Sequence, residues 1–228
     1  MVAGGNKQRN HIDKTDATSS TAALEYVLLT ATIDAKEGRD VAIVHIPNAF
    51  VTTRIENKDD ISTIRLRGKL AELLVATAPE IYKKYVTFNS KGELVLYVEA
   101  LNALYRIMKA ALLFYIKFVE NIKSIGFQLN PYNPCVANKI VDDAQLTVVW
   151  HVDDIKVSHI YGGVVTRMAA WLKNTYEHLF KDGSGAMKLC RGMIHKYLGM
   201  PLDYSTWGEV KTTMYNYTRE IVTDFKQY

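Results

Sequence analysis

The chain has 228 residues, of which 48% are hydrophobic and 23% are charged, and its formal net charge is +4. This length and composition suit one large or two small globular domains with a buried core. No apolar run approaches the roughly 20 residues of a membrane span, and residues 1–16 lack the apolar core of a signal peptide. We therefore expect an intracellular protein with no membrane partner. Cys135 and Cys190 match no zinc or redox spacing, which indicates reduced thiols.

The first half of the sequence predicts helices that alternate with short strands. Residues 1–18 are predicted to form a flexible lead-in, and Ser19-Ser20-Thr21 is expected to cap the first helix. That helix is expected to stop by Gly38, and Pro47 closes the strand that follows it. The elements expected in this half are a helix over 19–38, a strand over 40–46, a strand over 61–67, a helix over 69–78 and a strand over 94–98.

The second half predicts one long helix followed by strands and two further helices. Apolar residues at a 3.6-residue period predict a helix over 101–124 with a buried stripe, and Gly126 is expected to end it. The elements expected after it are a strand over 135–141, two strands flanking Asp153-Asp154, a helix over 164–180, strands over 197–204 and 209–214, and a helix from 215. Helices mixed with mostly antiparallel strands predict an α+β fold.

Asp153 and Asp154 lie between two apolar runs rich in β-branched residues, with no glycine or proline between the runs. Each run is typical of a strand, so the acids are predicted at the tip of a tight hairpin. Two carboxylates fixed at a sheet edge are suited to binding a hard divalent cation. The alternative is that Asp-Asp is simply a favourable turn dipeptide. The pair alone favours the turn interpretation, and the rest of the chain provides the argument for a metal site.

Four blocks of the sequence stand in a recognisable order. In one-letter code they are DVAIVHIPNAF at 40–50, ALYRIMKAALLFY at 103–115, WHVDD at 150–154 and YLGMPL at 197–202. Together they resemble the reverse transcriptase of copia-type long-terminal-repeat retrotransposons, from about residue 19 to the end. The resemblance implies a palm with mostly antiparallel sheet packed on helices and partial fingers over 19–214, followed by the start of a thumb-like helical segment over 215–228.

The same resemblance implies an RNA-directed DNA polymerase. In that family a primer 3′-hydroxyl attacks a deoxynucleotide with the help of two magnesium ions. By resemblance, Asp153 and Asp154 would be catalytic residues and Mg²⁺ ligands, and Phe50 and Lys109 would bind the nucleotide. The partners would be an RNA or DNA template-primer and a deoxynucleoside triphosphate. The RNase H and integrase segments of the parent polyprotein are expected to be missing.

Residue 45 is the main departure from the family pattern. The family has a metal-binding aspartate five residues before Phe50, and this chain has His45 there. Imidazole offers nitrogen and no negative charge where magnesium requires oxygen. Asp40 cannot substitute, because it lies about 16–17 Å away along a strand and points to the opposite face. Arg106 also replaces a family glycine.

We therefore expect a polymerase fragment that is inactive or nearly so. The alternative is a non-catalytic relic that keeps the palm fold and weak template-primer binding. A zinc site of His45, His151 and His159 and an unrelated metal-dependent nuclease receive less weight. The Tyr82-Lys83-Lys84-Tyr85 cluster is either a nucleic-acid-stacking patch or a solvated surface.

Overall fold

A computed structural model describes residue 13, residues 17–177 and residues 186–225. The predicted lead-in over 1–18 therefore falls mostly outside the described residues. The chain divides into two compact units, each made of two separate stretches of sequence. Unit 1 comprises Met1–Thr18 and Phe50–Phe114, and unit 2 comprises Ser19–Ala49 and Tyr115–Tyr228.

The fold is α+β, as predicted, and all the paired strands in the described residues are antiparallel. The helices are α1 (Leu24–Glu37), α2 (Lys69–Thr77), α3 (Pro79–Tyr82), α4 (Ala110–Ser124), α5 (Gly162–Tyr176) and α6 (Tyr215–Phe225). The strands are β1 (Asp40–His45), β2 (Ser62–Arg67), β3 (Thr87–Phe88), β4 (Leu94–Ala100), β5 (Gln128–Leu129), β6 (Val136–Val141), β7 (Ala144–His151), β8 (Asp154–His159), β9 (Lys188–Arg191), β10 (Ile194–Tyr197) and β11 (Met200–Asp203).

Unit 2 is built on a six-stranded sheet in the order β5-β6-β7-β8-β1-β9. On one face, Trp150 of β7 packs against Phe118 of α4, with ring centroids 5.0 Å apart, and Phe118 also stacks on Tyr176 of α5. Side chains alternate between faces along a strand, so Lys156 of β8 lies on the face opposite Ile155, the partner of Trp150. There Lys156 pairs with Asp34 of α1. Helices therefore cover both faces of the sheet.

Unit 1 is built on a three-stranded sheet in the order β2-β4-β3. Leu66 of β2 and Leu96 of β4 pack against Ala71 of α2 and form one small buried cluster. A second cluster joins the end of β4 to the start of α4, and Phe50 packs against it. The members of the second cluster are Ala100, Ala103, Ile107 and Ala110.

The predicted helix over 101–124 is wrong in its first nine residues, because α4 begins only at Ala110. Arg106 has a φ of 71°, a left-handed conformation that no α-helix interior accommodates. The predicted apolar stripe is displaced as well: Leu101 is 52% exposed. The residues of the helix that are buried repeat every fourth position and are Ala110, Phe114, Phe118 and Ile122.

Three smaller predictions of elements need correction. Helix α1 begins at Leu24 after Ala23, which makes no side-chain cap, so the predicted serine-threonine cap is wrong, while Gly38 ends the helix as predicted. The predicted strand over 197–204 contains only the last residue of β10, the turn after it and β11, and within 209–214 only Lys211 forms a bridge. Helix α5 ends at Tyr176, and residues 178–180 of the predicted helix lie outside the described residues.

In the part of the chain that the structure describes, no helix combines the length and apolarity needed to cross a bilayer.

Replacing Arg106 by glycine is expected to stabilise the chain. A left-handed backbone costs a non-glycine residue about 1 kcal/mol, and glycine adopts it without that cost. We expect the free energy of unfolding, measured by urea denaturation, to rise by about 1 kcal/mol. Arg65→Gly is the matched control, since Arg65 is an exposed arginine within β2, where glycine destabilises a strand. If Arg106→Gly and Arg65→Gly lost equal amounts of stability, the backbone at position 106 would not be strained.

Candidate metal centre

Strands β7 and β8 form a tight hairpin whose turn residues are Val152 and Asp153. His151 and Asp154 face each other as the last strand pair before this turn. Val152 has a φ of 59°, a conformation that a β-branched residue rarely adopts. Two-residue hairpin turns with this conformation at the first position usually contain glycine. The turn that presents the acids therefore holds backbone strain, which costs on the order of 1–3 kcal/mol.

His45 lies beside the two acids because β1 is the neighbour of β8, with His45 paired to Asp154 in the register. The Nδ1 atom of His45 is 2.9 Å from Oδ1 of Asp154 and 4.0 Å from Oδ2 of Asp153. An ionised carboxylate only accepts hydrogen bonds, so Nδ1–H donates to Asp154. One possible ligand atom from each of the three side chains lies within 4.8 Å of the others.

Three hydrogen bonds to backbone carbonyls hold the hairpin in place. The Ile46 N–H donates to the Asp153 carbonyl oxygen at 3.0 Å. The hydroxyl of the buried Tyr197 lies 3.2 Å from the carbonyl oxygen of Val149 and 3.4 Å from that of Asp154, both of which accept from it. Burial raises the pKa of Tyr197, so the hydroxyl stays protonated and able to donate. These contacts restrict the movement of the acids relative to His45.

Burial raises the pKa of the Asp153 carboxyl above its usual range. The negative charge of Asp154 raises it further, whereas His45 and His151 oppose the rise. The protein therefore disfavours the ionised form of one of the two side chains that the resemblance gives as metal ligands. A bound cation would reverse this preference, because it stabilises the carboxylate.

Replacing Asp153 by asparagine is expected to raise the free energy of unfolding at pH 7 by on the order of 1 kcal/mol. The folded state binds the Asp153 proton more tightly than the unfolded chain does. The contribution of Asp153 to stability is therefore complete below the unfolded pKa of about 3.9 and decreases as the pH rises through the folded pKa.

Asparagine cannot ionise, so the gain from Asp153→Asn should shrink as the pH is lowered toward 4. Urea denaturation at pH 7 and pH 4 measures this change. Asp143→Asn is the control, because it makes the same substitution in a second Asp-Asp hairpin turn, the one between β6 and β7. A loss of stability in Asp153→Asn at pH 7 would contradict the electrostatic description of the site.

The other polar residues suggested by the sequence do not join this cluster. Asp40 lies at the far end of β1, opposite His159, and pairs with Arg191, so it supplies no ligand to the hairpin, as predicted. His159 is buried and contacts the Val141 carbonyl oxygen at 3.0 Å. The three-histidine zinc site is therefore not formed. His151 faces Asp154 across the hairpin, and its Nδ1 has no hydrogen-bond partner among the described residues.

Phe50 and Lys109, the expected nucleotide-binding residues, belong to unit 1, whereas His45 and both acids belong to unit 2. The ring of Phe50 contacts that of Tyr105, with centroids 4.7 Å apart. The Lys109 Nζ pairs with Asp60 Oδ1 at 2.6 Å. The nucleotide-binding roles of Phe50 and Lys109 remain predictions.

Two features of the site's surroundings went unrecognised in the sequence. One is the Tyr197 hydroxyl, which supports the hairpin from β10. The other is the buried pair of Asp34 and Lys156, which lies two residues along β8 from Asp154. A signal for the pair existed, because Lys156 interrupts an apolar strand and Asp34 falls on the same helical face as Val27 and Ala31.

Comparisons with known proteins find only distant similarities. No protein-family model matches the chain, and no curated protein is similar to it. A telomerase structure from Candida tropicalis, in complex with the TWJ fragment of telomeric RNA, is 11% identical with a TM-score of 0.46 and covers 92% of this chain. The corresponding telomerase structure from Candida albicans is 12% identical with a TM-score of 0.38 and covers 86%. This chain spans 36% of the length of each. Function is therefore inferred from the site itself.

Proposed function

We propose that the chain is a reverse-transcriptase-like domain of copia-type retrotransposon origin whose polymerase centre is incomplete. Its RNA-directed DNA polymerase activity is impaired or lost, and it retains affinity for a template-primer. One observation carries the proposal. The Nδ1 of His45 lies 2.9 Å from Asp154 and 4.0 Å from Asp153, at the position that the resemblance gives to a third metal-binding aspartate.

The ligand set does not fit the magnesium pair that the resemblance implies. Two magnesium ions require hard oxygen ligands with enough negative charge to hold them close together. Here two carboxylates are joined by an imidazole, which supplies nitrogen and no negative charge. A missing charged ligand acts mainly on the transition state, so the loss falls on turnover rather than on binding of the template-primer.

Retained nucleic-acid binding is supported by the solvent face of the sheet in unit 1. Arg65 of β2 faces Tyr97 of β4, and the Tyr97 side chain is 56% exposed. Arg67 is exposed on the same face of β2, and the Lys84 ammonium lies 4.9 Å from the ring centroid of the exposed Tyr85. Exposed aromatic rings next to cations are the features that bind single-stranded nucleic acid by stacking and charge.

An intracellular location forms part of the same proposal. Both cysteines are free thiols, Cys135 buried and Cys190 exposed. Burial raises the pKa of Cys135 to about 12, so this thiol stays protonated and unreactive. Free thiols without a disulfide are typical of a reducing compartment.

The test measures binding and extension on the same chain. We expect a fluorescent RNA–DNA primer-template to bind, as followed by anisotropy, without measurable primer extension in the presence of magnesium. Tyr97→Ala should weaken binding by about tenfold, since stacking contributes ~1–3 kcal/mol per base. Tyr132→Ala is the matched control, because Tyr132 is an 83% exposed tyrosine in unit 2. Absence of binding would refute the proposed function, and efficient extension would refute its impairment.

A further inference from the structure

The three side chains at the hairpin form a mixed nitrogen and oxygen ligand set. They are the only group of at least three histidine, cysteine, aspartate or glutamate side chains, among the residues described, whose ligand atoms come within 4.8 Å of one another. A zinc-sized ion in tetrahedral coordination separates its ligand atoms by about 3.3 Å, since each lies ~2.0–2.1 Å from the metal. The Nδ1 of His45 is 2.9 Å from Oδ1 of Asp154 and 4.0 Å from Oδ2 of Asp153, so the two distances lie on either side of this spacing.

We propose that His45, Asp153 and Asp154 bind one divalent transition-metal ion, of the zinc and manganese class, in preference to magnesium. Imidazole nitrogen favours zinc and its transition-metal neighbours, while carboxylates bind both kinds of ion. Magnesium prefers oxygen ligands and gives up its water shell reluctantly. The inference rests on the proposed function, because it identifies the ion that binds at the same site.

The environment of the cluster suits a bound ion. The side chains of His45, Asp153 and Asp154 are 36%, 24% and 39% exposed, so an ion can enter while water completes its coordination. His151 faces Asp154 across the hairpin, and its Nδ1 has no hydrogen-bond partner within the described part of the chain.

Isothermal titration of the full chain with zinc chloride, manganese chloride and magnesium chloride tests the inference. We expect one zinc ion per chain, bound at least about tenfold more tightly than magnesium. His45→Ala and Asp153→Asn should each weaken zinc binding by about tenfold or more. His45→Asp should narrow the difference between zinc and magnesium, because an all-oxygen site loses the nitrogen ligand that favours zinc.

Asp143→Asn is the matched control, since it alters an Asp-Asp hairpin turn outside the cluster. Circular dichroism of each variant identifies any that fails to fold, and His45→Gln then takes the place of His45→Ala. Zinc binding that survives both His45→Gln and Asp153→Asn would overturn the inference, as would tighter binding of magnesium to the unmodified chain. The titrations contain no nucleic acid, so their outcome is independent of the binding and extension test of the proposed function.

Discussion

Replacing His45 by aspartate should raise the rate of primer extension by about two orders of magnitude above that of the unmodified chain. The variant places a third carboxylate next to Asp153 and Asp154, within the 4.8 Å that the three side chains now span. Removing one electrostatic contact to a transition state typically costs 10²–10³ in rate, and restoring one should recover about as much. Steady-state extension of a labelled primer, with saturating deoxynucleotides and magnesium, measures the gain.

Two controls separate the charge from the shape of the new side chain. His45→Asn removes the imidazole without adding a charge and should leave extension at its original level. His45→Asp combined with Asp153→Asn restores one carboxylate and removes another, so extension should stay low. Adding Arg106→Gly to His45→Asp relieves the strained backbone at position 106. Failure of both His45→Asp variants to extend a primer would favour the non-catalytic relic over the impaired polymerase.

Removing the Asp34 carboxylate should lower the free energy of unfolding by about 3–5 kcal/mol. The side chains of Asp34 and Lys156 are 0% and 1% exposed, and they pair beneath the central strands of unit 2. Asp34→Ala leaves the Lys156 ammonium buried without its partner. Arg39 lies near the same carboxylate, with 4.0 Å between its Nη1 and Asp34 Oδ1, so a second cation loses a neighbour. Urea denaturation followed by circular dichroism measures the loss.

A double variant distinguishes the buried charge from simple loss of packing. Asp34→Leu together with Lys156→Met replaces the ion pair by apolar side chains of similar size, which is often neutral for stability. We expect the double variant to be at least about 2 kcal/mol more stable than Asp34→Ala. Arg167→Ala is the surface control, since the pair of Arg167 with Asp142 is more than half exposed and should contribute less than about 1 kcal/mol. Equal losses in the single and double variants would contradict the unpaired-charge explanation.

Local patterns predicted much of the fold of unit 2. The strand over 40–46 and the strands on both sides of Asp153-Asp154 form nearly as expected, because β-branched runs bounded by turn residues carry their own signal. The start of α4 could not be predicted in this way. Arg106 adopts a left-handed conformation, and helical spacing of apolar residues alone cannot reveal it.

The site itself required more than local patterns. Neither Asp153 nor Asp154 indicates which strand lies beside β8, and β1 is more than a hundred residues earlier in the sequence. Only the resemblance, through the order of the four sequence blocks, predicts that His45 lies beside the two acids. The Tyr197 hydroxyl escaped prediction because a tyrosine in an apolar strand usually packs in a core without a specific polar partner.

The most direct test of the central claim, that residue 45 and the twin acids form one metal centre, is an anomalous diffraction map from crystals of the chain grown with zinc. We expect one strong peak within about 2.0–2.2 Å of His45 Nδ1 and of one carboxylate oxygen from each of Asp153 and Asp154. Zinc bound elsewhere, with this cluster empty or with the imidazole turned away from the acids, would contradict the claim.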